Sequence, residues 1–310
     1  MNFDLTADQH DLQRGIRELC EKRFRTEHLR ENVGRVDRDD WDALTEAGVF
    51  AIAKREDEGG LGLGLTEAML VFEELGRALV PGPLVGTFLA TVAPGRIVSI
   101  VDRDAPTVDY LDSLEALVVV DDDGVWLVDP SGVTAVAVPS PLDPLSPRHS
   151  IEELPQGELI DDREVVSRWH LEGAALTAAL QLGIASRCTE LAVAYAKERE
   201  QFGRLIGSFQ AVKHICADML VRAEVARAAV YAAGVALDGA SETEPGRAVA
   251  GAKLLADESA LRGGKDCVQV HGGMGFTWEV DVHLYLKRAV VLATQFGTAA
   301  ENAETMAACL

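Results

Sequence analysis

Apolar positions recur at helical spacing near the start of the chain, where Leu12, Ile16 and Leu19 fall three to four residues apart. Thr6 and Gln9 stand at capping-box spacing ahead of them, which predicts a helix over residues 6–23. Trp41, Leu44 and Val49 predict a second, shorter helix stopped at Gly48. Glu58-Gly-Gly-Leu-Gly-Leu-Gly64 reads as a loop; no strand precedes it and its glycines lack the spacing of a dinucleotide fingerprint. Thr66 is placed to cap a helix carrying Met69, Leu70, Phe72 and Leu75, and an apolar helix is predicted at 84–92 after the break at Pro81-Gly-Pro83.

The period changes in the middle of the chain. Ala116–Val120, the turn Asp121-Asp-Asp-Gly124 and Val125–Val128 form a β-hairpin pattern. Further strands are predicted at 133–138, 151–154 and 157–160, giving a small β segment over 97–162. Beyond residue 165 the helical period returns in four long segments, 165–200, 208–237, 246–271 and 281–308. Seams of alanine (Ala174, Ala175, Ala178, Ala179; Ala223, Ala226, Ala229, Ala233) permit the close contacts of an antiparallel four-helix bundle. The predicted fold is therefore mainly α with a small β insert. It comprises an N-terminal α domain (1–96), a reduced β middle domain (97–162) and a C-terminal four-helix bundle (163–310).

Composition narrows the function. A net charge of -21 over 310 residues argues against nucleic acid as a partner, because phosphate neutralisation by cations drives that affinity. No apolar run reaches about 18 residues, so no membrane span is expected, and the chain is expected to be soluble and cytoplasmic. The five cysteines are scattered, without a CxxC pair, and read as small buried apolar residues. No metal-ligand cluster or Ser–His–Asp spacing is present, and His214 and His271 read as structural histidines on helices.

One combination stands apart. Arg199-Glu-Gln-Phe-Gly203 closes one helical segment, Phe209-Gln210 opens the next, and Gln269-Val-His-Gly-Gly273 closes a third. Singly, Arg199 complements a helix dipole, Phe202 is a core aromatic and Gly272-Gly273 is a helix stop. Together they can hold an extended anionic cofactor between helix ends. Arg grips phosphate, glycines admit backbone N–H groups, Gln bonds a ribose or ribitol, and Phe covers a ring. The residues themselves do not distinguish a flavin from another dinucleotide.

Lys197-Glu-Arg-Glu-Gln-Phe-Gly-Arg-Leu-Ile-Gly-Ser-Phe-Gln-Ala-Val-Lys-His214 and Gln269-Val-His-Gly-Gly-Met-Gly-Phe-Thr-Trp-Glu279 closely resemble the signatures of the acyl-CoA dehydrogenase family. The loop at 58–64, Glu73-Glu-Leu-Gly-Arg77 and Pro81-Gly-Pro83 resemble its first domain. The resemblance implies FAD at a subunit interface, touched by Arg199, Gln201, Phe202, Ile206, Phe209, Gln210, Gln269, Gly272 and Gly273. It also implies an acyl-CoA substrate, losing an α-proton to a glutamate and a β-hydride to the flavin, with an electron-transfer flavoprotein or similar acceptor.

Two departures qualify this. The usual base lies in a Tyr-Glu-Gly-Thr stretch, matched here by Gln295-Phe-Gly-Thr298, so Phe296 stands in its place. Some relatives carry the base on the first bundle helix, at the position of Gly173; Glu172 is adjacent, but one helical residue turns a side chain by about 100°. The middle segment also lacks the family's ring-covering motifs and is short for a full flavin-binding barrel. These losses resemble the short, catalytically silent subunits of bacterial α2β2 enzymes associated with sterol-derived CoA thioesters. Such a chain pairs with a full-length dehydrogenase subunit that supplies the base. Two alternatives are a homo-oligomer with a relocated base (Glu172, Glu279 or Glu301) and a scaffold that has lost flavin. Lys287-Arg288 could meet CoA phosphates but reads more simply as a solvated or salt-bridged pair.

Overall fold

The computed structural model describes residues 5–90, 95–161, 164–241 and 243–308. The chain divides into two compact units: Met1–Phe24, Leu65–Val80 and Ala174–Leu310 make one, and Arg25–Gly64 and Pro81–Gly173 make the other. Along the chain, helices come first, a β segment follows, and helices return.

In the first unit, α1 (Ala7–Arg23) starts as the sequence predicts. Thr6 Oγ1 accepts from Gln9 N at 3.2 Å, and Gln9 Oε1 accepts from Thr6 N at 2.9 Å, completing the capping box. Arg17 donates two hydrogen bonds, at 2.8 and 2.7 Å, to Glu74 on α4 (Leu65–Arg77). The cap of α4 differs from expectation, because Thr66 lies inside the helix. The cap is Asp238, remote in sequence, whose carboxylate accepts from Leu65 N at 2.7 Å, Thr66 N at 2.9 Å and Thr66 Oγ1 at 2.6 Å. A single anion satisfies two orphan amides and the hydroxyl expected to do so. Asp238→Ala is expected to cost about 1–2 kcal/mol, read as a fall in thermal midpoint with Asp238→Asn in between; parental stability in the alanine variant would count against the cap.

The bundle is built from α6 (Glu164–Glu198), α7 (Gln210–Leu237), α8 (Pro245–His271) and α9 (Val282–Leu292), with α6 belonging to this unit from Ala174 on. Gln181 on α6 bonds Asp257 on α8, and Tyr195 meets His271 further along both helices, so α6 and α8 run parallel. Arg227 on α7 donates to Ser186 at 3.0 Å, while Gly207, just before α7, lies against Ala196. That order runs α7 antiparallel to α6. Gly264 meets Leu286 and Lys253 meets Leu292, which reverses α9 against α8. The four helices alternate in direction as expected.

The fourth predicted segment, 281–308, is not one helix. Helix α9 stops at Leu292; the left-handed Phe296 (φ 51°) and Gly297 (φ 104°) then redirect the chain, and α10 (Ala299–Ala308) restarts after them. Thr298 and Glu301 make the new start: the Glu301 carboxylate accepts from Thr298 N at 2.7 Å and from its hydroxyl at 2.8 Å.

The second unit holds α2 (Thr26–Glu31), α3 (Arg38–Glu46) and α5 (Leu84–Leu89). The predicted continuation of α5 at 91–92 lies outside the described residues, as does the predicted boundary at 162–163. Among the described residues seven strands follow: β1 (Val98–Asp102), β2 (Thr107–Asp109), β3 (Ala116–Asp121), β4 (Gly124–Val128), β5 (Thr134–Ala137), β6 (Arg148–Glu153) and β7 (Glu158–Asp161). They form two sheets, ordered β1-β3-β4-β7 and β2-β6-β5, around Val108, Leu117, Val119 and Val128. The predicted hairpin is β3–β4. Asp121 Oδ1 organises its turn, accepting from Asp123 N, Gly124 N and Trp126 Nε1 at 2.8–3.1 Å. Strands β1 and β2 are additions to the predicted set, and β1 pairs with β3 in parallel, a long-range partnership that no turn signal announces.

Candidate cofactor-binding site

Arg199 follows the last residue of α6, its N–H donating to Tyr195 O at 2.9 Å. The sequence predicts only a turn at Gly203; the structure makes a miniature hairpin of β8 (Glu200–Gln201) and β9 (Arg204–Leu205). Its tip, Phe202 (φ 55°) and Gly203 (φ 73°), has two consecutive positive φ values, the mark of a primed two-residue turn. Glycine adopts this freely, but phenylalanine does so at a cost on the order of 1–3 kcal/mol. Phe202 is also 92% exposed, so what packing it has within the chain covers little of the ring.

Ile206 N donates to Arg199 O at 2.8 Å and closes the loop. Phe209 is the N-cap residue of α7 and Gln210 its first residue, and no side chain caps this helix start. The free amides of its first turn therefore point at whatever approaches the helix end. The Arg204 guanidinium lies 3.9 Å above the Phe209 ring, and Phe202 meets that ring edge-on at 6.2 Å.

The second segment lies at the end of α8. Gln269 is exposed on its last turn, and Gly272 follows the helix at φ 60°, ψ −139°, a backbone conformation confined almost wholly to glycine. Gly272 and Gly273 are both exposed, and a Cβ on either would meet nothing within 4 Å. These glycines leave room for something other than the chain's own atoms. Tyr195 on α6 stacks on His271 on α8, with centroids 4.1 Å apart and planes at 20°. That contact brings the Arg199 loop and the Gly-Gly corner to one end of the bundle.

The nine residues singled out from sequence thus occupy the end of α6, the start of α7 and the end of α8. Arg199, Arg204 and Lys213 gather there with no ion-pair partner among the described residues, in a chain whose net charge is -21. Unneutralised cations, uncapped helix amides, an open glycine corner and an exposed aromatic fit an extended anionic dinucleotide such as FAD. Arg204 and Tyr195 were not among the predicted residues. Tyr195 stands four positions before Arg199, one helical turn away, and that spacing was the available signal. Among the described residues no group of three or more His, Cys, Asp or Glu could hold a metal. His271 is structural, as expected: it is buried and its Nδ1 lies 2.8 Å from Cys267 O.

Phe296 is half-buried between α9 and α10, and Gly173 is buried in α6. Of the other carboxylates considered, Glu301 is engaged as a helix cap and Glu279 is exposed beyond the Gly-Gly corner. Glu172 is half-buried; desolvation pushes its pKa up, opposed by Arg168 at 3.6 Å. Lys287-Arg288 is not a solvated pair, since Arg288 is buried and donates to Val80 O at 3.1 Å, and Lys287 lies over the Trp278 ring. No helix among the described residues is long and apolar enough to cross a membrane.

The sequence matches the acyl-CoA dehydrogenase N-terminal domain over residues 6–95 and the acyl-CoA dehydrogenase C-terminal domain over residues 166–310. It is 37% identical over 266 residues to the acyl-CoA dehydrogenase IpdE2 of Mycobacterium tuberculosis (strain ATCC 25618 / H37Rv), covering 80% of this chain and 79% of that protein. The chain belongs to the acyl-CoA dehydrogenase family. Among solved structures, a chain of the ChsE4-ChsE5 complex from Mycobacterium tuberculosis superposes with a TM-score of 0.84 at 25% identity, covering 99% of this chain and 98% of that one. PigA with FAD and proline shares the fold, with a TM-score of 0.85 at 19% identity over 100% of this chain and 99% of that one.

Proposed function

We propose that this chain is a non-catalytic subunit of a heteromeric, FAD-dependent acyl-CoA dehydrogenase. It grips the cofactor at a subunit interface while a full-length partner supplies the base. The observation that carries this reading is the pairing of an open, cationic cofactor grip with Phe296 and Gly173 at the two base positions. FAD, when bound, accepts the hydride removed from the acyl-CoA β-carbon.

The chain's own residues hold and orient. Arg199 and the uncapped amides of α7 neutralise the pyrophosphate, and Gly272 and Gly273 let backbone approach it. Gln201, Gln210 and Gln269 offer amides to ribose or ribitol, and Phe202, with Ile206 and Phe209 behind it, excludes water. Phe296 cannot take a proton, so the α-proton leaves to a partner carboxylate. The ChsE4-ChsE5 complex, a two-subunit relative in fold, supports a heteromer of this kind. Sterol-derived CoA thioesters are the substrate class the family resemblance implies, with an electron-transfer flavoprotein or similar protein as acceptor.

A second reading is favoured by one observation, the desolvated carboxyl of Glu172, half-buried with a single weak ion pair. In that reading the protein is a self-sufficient homo-oligomer. Purification of the chain alone separates the two: a colourless, inactive protein is expected, which gains one flavin site when co-expressed with its partner. A yellow homo-oligomer that reduces a dye with acyl-CoA, and loses this in Glu172→Gln, would establish the second reading. In the flavin-loaded assembly Arg199→Ala is expected to weaken FAD about 10–100-fold, the worth of one charge-assisted hydrogen bond. Unchanged flavin content would instead leave a scaffold without a cofactor role.

A further inference from the structure

We infer that Tyr195 and His271 are positioning residues: their stack locks the end of α6 to the end of α8 and so sets the spacing between Arg199 and the Gly272-Gly273 corner. This deepens, and rests on, the FAD-binding reading. Both segments of the grip are open on their outer side, with Phe202 exposed and the two glycines untouched within 4 Å. Their separation is therefore set by contacts beneath them.

The stack is the contact nearest to both. Tyr195 accepts the Arg199 N–H on its own carbonyl, and His271 immediately precedes Gly272. The imidazole cannot turn freely. Its Nδ1 donates to Cys267 O at 2.8 Å, the Cys267 sulfur lies 3.9 Å from the same nitrogen, and the residue is 7% exposed. No ion pair joins α6 to α8 among the described residues; the next polar contacts between these helices are the buried Cys188–Cys267 thiol pair, two turns below Tyr195 on α6, and Gln181–Asp257 further down. A ring stack is sensitive to both distance and plane angle, so it fixes the two helix ends more tightly than aliphatic packing does. Tyrosine and histidine here act through Arg199 and the glycines, without touching the cofactor.

The test uses the flavin-loaded assembly that contains the chain, with Tyr195→Phe, Tyr195→Leu, His271→Leu and the remote core variant Leu182→Ala. Tyr195→Phe keeps the stack and should bind FAD within about twofold of the parent, whereas both leucine variants should weaken it about tenfold. Leu182→Ala should lower the thermal midpoint without altering FAD affinity, which separates positioning from general stability. Hydrogen exchange of the flavin-free chain gives a readout independent of the cofactor. At the amides of Ile206, bonded to Arg199 O, and Gly272, bonded to Gln269 O, exchange should quicken about fivefold or more in Tyr195→Leu and not in Tyr195→Phe. Unaltered exchange at both amides in Tyr195→Leu overturns the inference whatever happens to flavin. Full FAD affinity in Tyr195→Leu beside a loss in Arg199→Ala also overturns it. A loss of FAD absent from Arg199→Ala removes the functional reading, and the exchange result then stands alone.

Discussion

Lys253→Met will lower the unfolding free energy by about 3–5 kcal/mol, the usual consequence of stripping one partner from a buried ion pair. Lys253 is fully buried in the bundle, its Nζ 2.5 Å from Asp257 Oδ2 and 3.4 Å from Leu292 O. Asp257 Oδ1 accepts from Gln181 Nε2 at 3.0 Å, and the same amide reaches Ala289 O at 2.9 Å. Three helices, α6, α8 and α9, are thus tied at one point. Desolvation pushes the lysine pKa down and the aspartate pKa up, and each charge holds the other against that pressure.

Without the ammonium, Asp257 keeps only the Gln181 donor and its pKa climbs further. A native carboxyl with a raised pKa binds more protons than the unfolded chain does. The deficit is therefore full at neutral pH and shrinks as pH falls towards the ordinary carboxylate range. Urea titrations at pH 7 and pH 4.5 check both the size and the sign. Lys253→Met/Asp257→Leu should recover most of the loss, because two apolar groups of similar volume leave no buried charge uncompensated and the Gln181 amide keeps Ala289 O as acceptor. A single variant within about 1 kcal/mol of the parent would show that the pair is more hydrated than its burial indicates.

Gly183→Ala is the second large effect, expected at about 3 kcal/mol, the upper end of the usual overpacking cost. A Cβ at Gly183 would stand 2.0 Å from Glu73 O and 2.7 Å from Arg77 N, and one at Gly76 would stand 2.1 Å from Leu180 O. The contact between α4 and α6 is backbone against backbone on both sides, so no side chain can move out of the way. Parting the helices would also pull on Glu73, whose carboxylate takes bonds from Arg227 and Tyr231. Calorimetry of Gly183→Ala and Gly76→Ala should give comparable falls. A thermal midpoint unchanged in either would mean that α4 and α6 can separate at little cost.

The sequence foretells elements whose signals are local. Thr6 and Gln9 form their capping box, Asp121-Asp-Asp-Gly124 makes its hairpin turn, and the alanine seams lie inside an alternating bundle. It fails where the decisive partner is distant. Thr66 has the chemistry of a cap, but Asp238 bids for the same amides with a full charge, and nothing near residue 66 reveals it. The unbroken prediction over 281–308 fails for a different reason: one glycine inside a helical pattern is usually tolerated, and the left-handed turn of Phe296 beside it has no sequence signature. At the candidate site, residue types and helix ends were legible because motif and spacing sit within short segments. The stack that joins those segments was hidden, since Tyr195 and His271 are 76 positions apart (271 − 195) and each looks ordinary on its own helix.

The division of the chain into two units has a consequence at the ribosome. The helical unit draws on both ends of the polypeptide, and the first turn of α4 is held by a carboxylate synthesised after the whole β segment has emerged. The unit of Arg25–Gly64 and Pro81–Gly173 is complete once residue 173 has been made, well before Asp238. The early helices α1 and α4 have only each other, and their faces that pack on the bundle must wait until α6 to α8 appear. Nascent chains stalled before residue 238 should accordingly be good clients for chaperones that shield apolar helices, and released full-length chains poor ones.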